Sequence, residues 1–459
     1  MHVESGAESD ASRPDPFSLV PIPDLIHSSA ATLARLIRAR EVTSGEVVAA
    51  HLERIAAVNP ALNAVVQLDA DAALADARAA DADLARGVVS GPLHGVPFTV
   101  KDWIDVGGVI CTGADPRYRD RKAREDATAV ARLRGAGGVF LGKTNAVTGN
   151  EIYGRTNNPH DLARSPSGSS SGEAAIVAAG GSPLGLGSDS GGSIRTPAHA
   201  CGVAGLKPTM GRVPLTGHFP AINPLSDPRT VIGPLARRVE DLALALSVIQ
   251  GPDGRDASAV PVPLGDWRAV ELAALRVAFY TSHAEADPSP MCRQAAEDAA
   301  LALAEVVASV EEALPPRIEE TYALTRAYWR RPESASWDEW EGPTESPLSG
   351  MEIAQHLFAW DRFRRALLGF MQRFDVIVTP AMELPAQPHG APEGGIAYTL
   401  AYSLTGYPAV VLRVGTADGG LPIGVQIVAC PWRDDVALAV AAWLEQRFGG
   451  WQMPVTPSA

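Results

Sequence analysis

The chain has 459 residues, and its 46 % hydrophobic and 20 % charged residues are typical of a globular protein with a sizeable buried core. Its formal net charge of -14 is spread along the chain, whereas a nucleic-acid surface needs clustered Lys and Arg, so nucleic acid is excluded as the main partner. The four cysteines form no CxxC pair, which argues against a zinc or redox motif and favours reduced thiols in a cytoplasmic protein.

The N-terminal residues 1–16 are polar and acidic and lack the cationic start and apolar core of a signal peptide. We expect them to form a disordered tail, and residues 17–459 to form one domain. No uncharged apolar run reaches the length of a membrane span, and the best candidates lie near residues 174–186 and 436–444. The sequence therefore predicts a protein without a membrane partner.

Helices are predicted over residues 28–86. Thr43-Ser44-Gly45-Glu46 has the spacing of a capping box, and apolar residues then recur at helical intervals up to Asn59-Pro60, where this helix should end. Residues 69–86 are rich in alanine, with acidic residues early and arginines later. This charge order suits the helix macrodipole and predicts a further helix.

Strands and helices alternate in the next part of the chain. Strands are predicted at 96–100 and 138–143, with a helix at 128–135 between them, which indicates an α/β layer with a largely parallel sheet. Lys101 follows the first strand directly and leads into Trp103. A lysine at a strand end is usually exposed, but the apolar residues on both sides of Lys101 also favour a buried side chain.

The second half of the chain continues this pattern. Helices are predicted at 235–250 and 290–307, strands at 275–280 and 374–380, and a late hairpin at 410–414 and 423–428. Residues 321–360 differ because they are rich in aromatic side chains. Such density is more typical of core or lid packing than of a cofactor site, although it can also form the apolar wall of a substrate pocket.

Serine and glycine are concentrated between Arg164 and Arg212, in two clusters separated by the apolar run Ala174–Ala179. Glycine lets backbone N–H groups approach a reacting atom, and hydroxyl groups beside such a backbone suit nucleophilic acyl transfer. A flexible linker would not contain the apolar run. Serine needs a base, and no His-plus-carboxylate pattern stands out, but a buried neutral lysine such as Lys101 can act as one.

These motifs resemble those of the amidase signature family, from about residue 33 to residue 448. The lysine motif is GVPFTVKD (95–102), the first serine motif SGSSSG (167–172), the second GSDSGGSIR (187–195), and GLKPT (205–209), GRV (211–213) and GVQIV (424–428) also match. Ser167 and Ser171 replace glycines of the first motif. The resemblance implies a single large α/β/α sandwich with a central twisted mixed sheet covered by helices.

The resemblance also implies roles for individual residues. Ser193 should be the acylated nucleophile, Ser169 a bridging serine held by a cis peptide bond after Gly168, and Lys101 the base. The oxyanion hole should consist of the backbone N–H groups of Ser190, Gly191, Gly192 and Ser193. Asp189 and Arg195 should fix this loop by hydrogen bonds, and Trp103, Asn145 and Met382 are candidate substrate contacts. No metal or cofactor is implied.

The predicted activity is hydrolysis of C–N acyl bonds in a small carboxamide, anilide or carbamate, with some esters. The alternative is the A subunit of a glutamine-dependent tRNA amidotransferase. A non-enzymatic binding module is disfavoured because Lys101, Ser169 and Ser193 are all present. The loop 146–158 looks shorter than in relatives and should border and open the site. The oligomeric state, monomer or homodimer, stays open.

Overall fold

The computed structural model describes residues 24–222, 227–330, 348–392 and 395–454. The predicted tail 1–16 lies outside these residues, as do Trp337 and Trp340 of the aromatic segment. Within the described ranges, no helix has both the length and the apolar character needed to cross a membrane.

The strands are, in chain order, β1 (Val65–Leu68), β2 (Pro97–Lys101), β3 (Val139–Thr144), β4 (Gly149–Asn150), β5 (Gly154–Arg155), β6 (Leu184–Asp189), β7 (Ala204–Lys207), β8 (Val231–Ala236), β9 (Arg276–Phe279), β10 (Ser309–Glu312), β11 (Val376–Pro380), β12 (Ala409–Thr416) and β13 (Pro422–Ala429). The helices are α1 (Ala30–Arg38), α2 (Ser44–Leu62), α3 (Ala70–Ala85), α4 (Thr128–Gly135), α5 (Ser171–Ala178), α6 (Arg195–Cys201), α7 (Val239–Ile249), α8 (Pro290–Leu303), α9 (Thr321–Trp329), α10 (Gly350–Phe370), α11 (Ala397–Leu404) and α12 (Asp434–Phe448).

In the described part of the chain, eleven strands form one mixed sheet in the order β1-β3-β2-β6-β8-β7-β12-β13-β11-β9-β10, flanked by helices. The predicted α/β fold with a mixed sheet is confirmed. The sheet is parallel only at β3-β2-β6 and at β11-β9-β10. The largely parallel sheet inferred from the first strand–helix–strand unit is therefore wrong, because antiparallel pairs such as β12–β13 separate these two parts.

Three predicted helix boundaries were wrong, and one of them is the end of the helix expected at 290–307, which lies at Leu303. The helix expected to end at Asn59-Pro60 continues to Leu62, and Asn63 then adopts a left-handed φ of 50°. The Asn59 side-chain oxygen accepts hydrogen bonds from the N–H groups of residues 64 and 65, so these two backbone donors are paired where the chain leaves the helix. The helix expected from 235 starts at Val239, because 231–236 pair with β6 along its whole length.

The aromatic segment contributes to the core. Tyr328 of α9 and Trp360 of α10 are buried, with ring centroids 6.2 Å apart in an edge-to-face arrangement. Phe358, by contrast, is 78 % exposed. Whether residues 321–360 act as a lid therefore stays a prediction.

Three elements meet at one edge of the sheet. Strands β2 and β6 are parallel neighbours, so their carboxyl ends, at Lys101 and Asp189, point the same way. Helix α5 is buried at every residue and begins within the first serine motif. The sheet therefore brings the lysine motif and both serine motifs together.

Candidate active site

The Lys101 side chain is fully buried at the end of β2. Its Nζ donates to Ser169 Oγ at 2.7 Å and to Ser188 Oγ at 3.2 Å, and it lies 4.2 Å from the centroid of the Trp103 ring. Burial lowers the pKa of Lys101 to about 7, although the negative charges of Asp189 and Glu173 oppose this effect. A large fraction of the amine is therefore neutral near pH 7, as a general base requires.

The two serine motifs are joined through their backbones. The Gly168–Ser169 peptide bond is cis, as the resemblance implied. The N–H of Ser170 donates to the carbonyl oxygen of Ser193 at 3.1 Å, and both Ser169 and Ser193 are half-buried. Within the described residues, no hydrogen bond joins the hydroxyl groups of Ser169 and Ser193. Hydrogen bonds between catalytic groups often form only when a substrate is bound.

The loop before Ser193 is folded around the Asp189 carboxylate. Its oxygens accept hydrogen bonds from the N–H groups of Gly192 at 2.8 Å and Ile194 at 3.1 Å. Because the Gly192 N–H points to Asp189, it is not available as the predicted oxyanion donor in this structure. In the described part of the chain, the N–H groups of Ser190, Gly191 and Ser193 have no acceptor, so three of the four predicted donors are left for an oxyanion.

Arg195 holds this carboxylate in place. Its Nε and Nη2 donate to the two Asp189 oxygens at 3.0 and 2.9 Å, and its remaining N–H groups donate to Thr399 O, Ser403 Oγ and Gln426 Oε1. Burial alone would raise the pKa of Asp189, but the Arg195 charge and hydrogen bonds outweigh it and hold that pKa at about 2. The pair is fully buried and fixes the loop, as predicted from the sequence.

Thr399 of α11 is a supporting residue that the sequence did not reveal. Its hydroxyl donates to the carbonyl oxygen of Gly191. Gly192 has a φ of 143°, and a Cβ at this position would lie 2.7 Å from Thr399 Oγ1. A glycine is therefore required at 192, and α11 packs directly against the loop.

The hydroxyl of Ser190 belongs to a second buried network. It is hydrogen-bonded to Thr230 Oγ1 at 2.6 Å, and that hydroxyl donates to Asp227 at 3.1 Å. Asp227 pairs with Arg229 at 3.0 Å, and the guanidinium lies 3.5 Å from the centroid of the Tyr328 ring. The loop is thus connected to the aromatic helix α9.

Glu173 is a second residue that the sequence reasoning missed. Its carboxylate is fully buried on α5 and accepts hydrogen bonds from Thr99 Oγ1 on β2 and from Thr144 Oγ1 on β3, the latter at 2.7 Å. Burial raises the pKa of Glu173 to about 7. A Cβ at Gly185 would overlap Glu173 Oε1, so this strand glycine makes room for the carboxylate. A lone acidic residue beside a run of small apolar residues was the available signal.

The three candidate substrate contacts have different positions. The Trp103 indole N–H donates to Gly113 O at 2.9 Å while the ring covers Lys101. The Asn145 side-chain oxygen accepts a hydrogen bond from Asn150 Nδ2 at 2.7 Å, and its Nδ2 donates to Gly154 O at 3.1 Å. Asn145 therefore orders the β4–β5 hairpin, and its contact with a substrate stays a prediction. Met382 is buried just after β11, and its role as a pocket wall stays a prediction.

The loop 146–158 lies beside the centre, as expected. The N–H of Val147 donates to the carbonyl oxygen of Ser169 at 2.8 Å. The loop contains the short hairpin formed by β4 and β5. Across the described ranges, three or more His, Cys, Asp or Glu side chains are nowhere grouped so that they could hold a metal ion.

The chain is similar to known proteins over most of its length. The family model described as Amidase matches residues 46–337 and 334–438. The chain is 35 % identical to the A subunit of a glutamyl-tRNA(Gln) amidotransferase from Acidothermus cellulolyticus, with 93 % of this chain and 95 % of that protein covered. It is 33 % identical to an acylamidase from Rhodococcus erythropolis, with 91 % and 94 % covered. The structure of 6-aminohexanoate cyclic dimer hydrolase superposes with a TM-score of 0.82 at 28 % identity, covering 94 % of this chain and 99 % of that one.

Proposed function

The chain belongs to the amidase family, whose members act on C–N bonds in amides, and on that premise we propose that it hydrolyses small amides through an acyl-enzyme on Ser193. The observation that carries this proposal is the 2.7 Å contact between the buried Lys101 Nζ and Ser169 Oγ. A lysine with a pKa of about 7 can accept a proton near neutral pH. Carboxamides, anilides and carbamates are the substrate classes we consider.

The first half of the proposed reaction forms the acyl-enzyme. Neutral Lys101 accepts the proton of Ser169 while Ser169 accepts the proton of Ser193, and Ser193 Oγ attacks the carbonyl carbon. The negative charge that develops on the carbonyl oxygen is stabilised by the free N–H groups of Gly191 and Ser193, with Ser190 as a third donor. Removing one donor of this kind from an enzyme typically lowers the rate about a hundred- to a thousand-fold.

The second half releases both products. The tetrahedral adduct collapses, its C–N bond breaks, and the amine leaves with the proton that Lys101 returns through Ser169. Water then attacks the acyl carbon and gives its proton to the same relay. The carboxylic acid leaves and the Ser193 hydroxyl is restored.

Covalent labelling tests the role of Ser193. We expect a fluorophosphonate to add one phosphonyl group per chain, detected by intact-protein mass spectrometry, and Ser193→Ala to abolish both labelling and amide hydrolysis. Ser247→Ala is a matched control, because Ser247 is an exposed serine on α7 whose hydroxyl donates to Leu244 O. Labelling that persists in Ser193→Ala, or is lost in Ser247→Ala, would contradict the proposal.

A second candidate is the A subunit of a glutamine-dependent tRNA amidotransferase, which the 35 % identity to the Acidothermus cellulolyticus protein favours. Activity assays on the isolated chain distinguish the two candidate functions. A free-standing amidase hydrolyses anilides or other small amides by itself, whereas the A subunit of such a complex should release ammonia from glutamine and leave anilides intact. Gel filtration of the purified chain, with both assays on the eluted fractions, decides between them.

A further inference from the structure

A cavity of about 350 Å³ is lined by Thr148, Gly149, Arg155, His389 and Gly390. The β4–β5 hairpin forms one wall and the segment around 389 forms the other. This second wall is fixed to the chain that leads into the first serine motif, since the His389 N–H donates to Ala163 O and the Ser165 N–H donates to Gln387 O. The cavity is therefore formed by one segment that precedes the two serine motifs in the sequence and by one that follows them.

The cavity adjoins the peptide that carries Ser169. A Cβ at Gly168 would lie 3.3 Å from Thr148 Cγ2, so Thr148 packs close to this glycine. On its other side, the carbonyl oxygen of Gly168 accepts a hydrogen bond from Thr196 Oγ1 at 3.0 Å, and Thr196 lies on α6 just after Ser193. The Gly168 peptide therefore contacts both Thr148, which lines the cavity, and helix α6, which begins two residues after Ser193.

The charge of this cavity is positive in a protein of net charge -14. Arg155 is exposed, and across the described residues its guanidinium has no hydrogen bond or ion pair. Among the described residues that line the cavity, none carries a carboxylate. The acidic residue that follows closely in the sequence, Asp161, is already paired with Arg164 at 3.0 Å.

The position of Arg155 is fixed by its backbone. Its Cα pairs with Gly149 across the hairpin, and its carbonyl oxygen accepts a hydrogen bond from Asn63 Nδ2 at 3.1 Å. Asn145 holds the other end of the same hairpin. The backbone of Arg155 is therefore held in place by hydrogen bonds, and its guanidinium lies at the wall of the cavity.

We propose that this cavity binds a carboxylate of the substrate and that Arg155 is the specificity-determining residue, so that the preferred amides carry an acidic group. A guanidinium offers a planar fork of donors that matches a carboxylate with two parallel hydrogen bonds. This inference rests on the proposed amidase function and names its substrate class. The carboxylate can belong to the acyl part or to the amine part of the amide.

Two pairs of amides of equal length test the inference. N-phenylsuccinamic acid and N-phenylpentanamide differ in the charge of the acyl part, and N-acetyl-γ-aminobutyrate and N-pentylacetamide differ in that of the amine part. We expect kcat/KM to be higher for the acid in at least one pair, and Arg155→Gln to lower that acid-to-neutral ratio about ten- to a hundred-fold. Arg78→Gln, which removes the same charge from an exposed position on α3, should leave the ratio unchanged.

A binding measurement separates this inference from the proposed function. Calorimetry with N-phenylsuccinamic acid and N-acetyl-γ-aminobutyrate on the Ser193→Ala variant needs no turnover. We expect at least one acid to bind, and the double variant with Arg155→Gln to bind it about ten-fold or more weakly. If no amide is hydrolysed but the acid binds through Arg155, the amidase proposal fails and the carboxylate site stands. Equal kcat/KM within both pairs, equal losses on acid and neutral amides in Arg155→Gln, or binding that ignores Arg155 would overturn the inference.

Discussion

The pH dependence of amide hydrolysis follows directly from the environment of Lys101. Burial lowers its pKa to about 7, so about one tenth of the lysine is neutral at pH 6 and about nine tenths at pH 8. Because the base must be neutral, kcat/KM should rise with pH, about ten-fold per pH unit below pH 6, and level off above pH 8. With an ordinary lysine pKa, only about 0.03 % would be neutral at pH 7 and the rise would continue to about pH 10.

The assay is kcat/KM for a chromogenic anilide from pH 5 to pH 10 at constant ionic strength. Glu173→Gln should move the midpoint to lower pH, because the Glu173 carboxylate favours the charged form of Lys101. Lys207→Met is the essential control, since burial also lowers the pKa of Lys207 to about 7, but its ammonium donates to the carbonyl oxygen of Tyr407 at 2.8 Å. A flat profile, a rise that continues to pH 10, or a midpoint that moves only in Lys207→Met would refute the assignment of the base.

Three further predictions concern the residues that support the centre. Arg195→Gln breaks a fully buried ion pair and should lower the free energy of unfolding by about 3–5 kcal/mol in urea titrations; an unchanged stability would contradict this role. Gly185→Ala should destabilise the protein by about 1–3 kcal/mol or more, because the added Cβ would overlap Glu173 Oε1. In the Gly185→Ala background, Glu173→Ala should lower the free energy of unfolding by less than it does in the wild-type protein. Additive changes in the free energy of unfolding would contradict the clash. Thr399→Val removes the hydrogen bond to the Gly191 carbonyl and should lower kcat about ten-fold with little change in KM, whereas a change in KM alone would indicate a role in substrate binding.

The predictions that succeeded rest on local sequence. The cis bond at Gly168–Ser169 lies inside one short motif, whereas the contact of Lys101 with Ser169 joins two short motifs that lie 68 positions apart. The helix at 128–135 coincides with α4. The cis bond and the helix depend on neighbouring residues, whereas the lysine contact was expected from the roles that the resemblance implies.

The features that were missed depend on long-range packing. Thr399 reaches the loop from 208 positions away, and the sequence around it carries no sign of that contact. Arg195, which holds the Asp189 carboxylate beneath the Gly192 N–H, is itself fixed by acceptors on α11 and β13 that lie more than 200 positions away. Residues 231–236 form a strand because β6 pairs with them, which their own pattern does not indicate.

The centre and the β4–β5 hairpin differ in how strongly the fold constrains their sequence. Arg195 directs all its side-chain hydrogen bonds into the protein, so substitutions around it disturb the sheet and α11 together. The hairpin is a separate pair of two-residue strands outside the main sheet, and insertions or deletions there need not disturb the core. With the carboxylate site on the hairpin, as proposed, substitutions there would change the preferred substrate and leave the residues around Arg195 undisturbed.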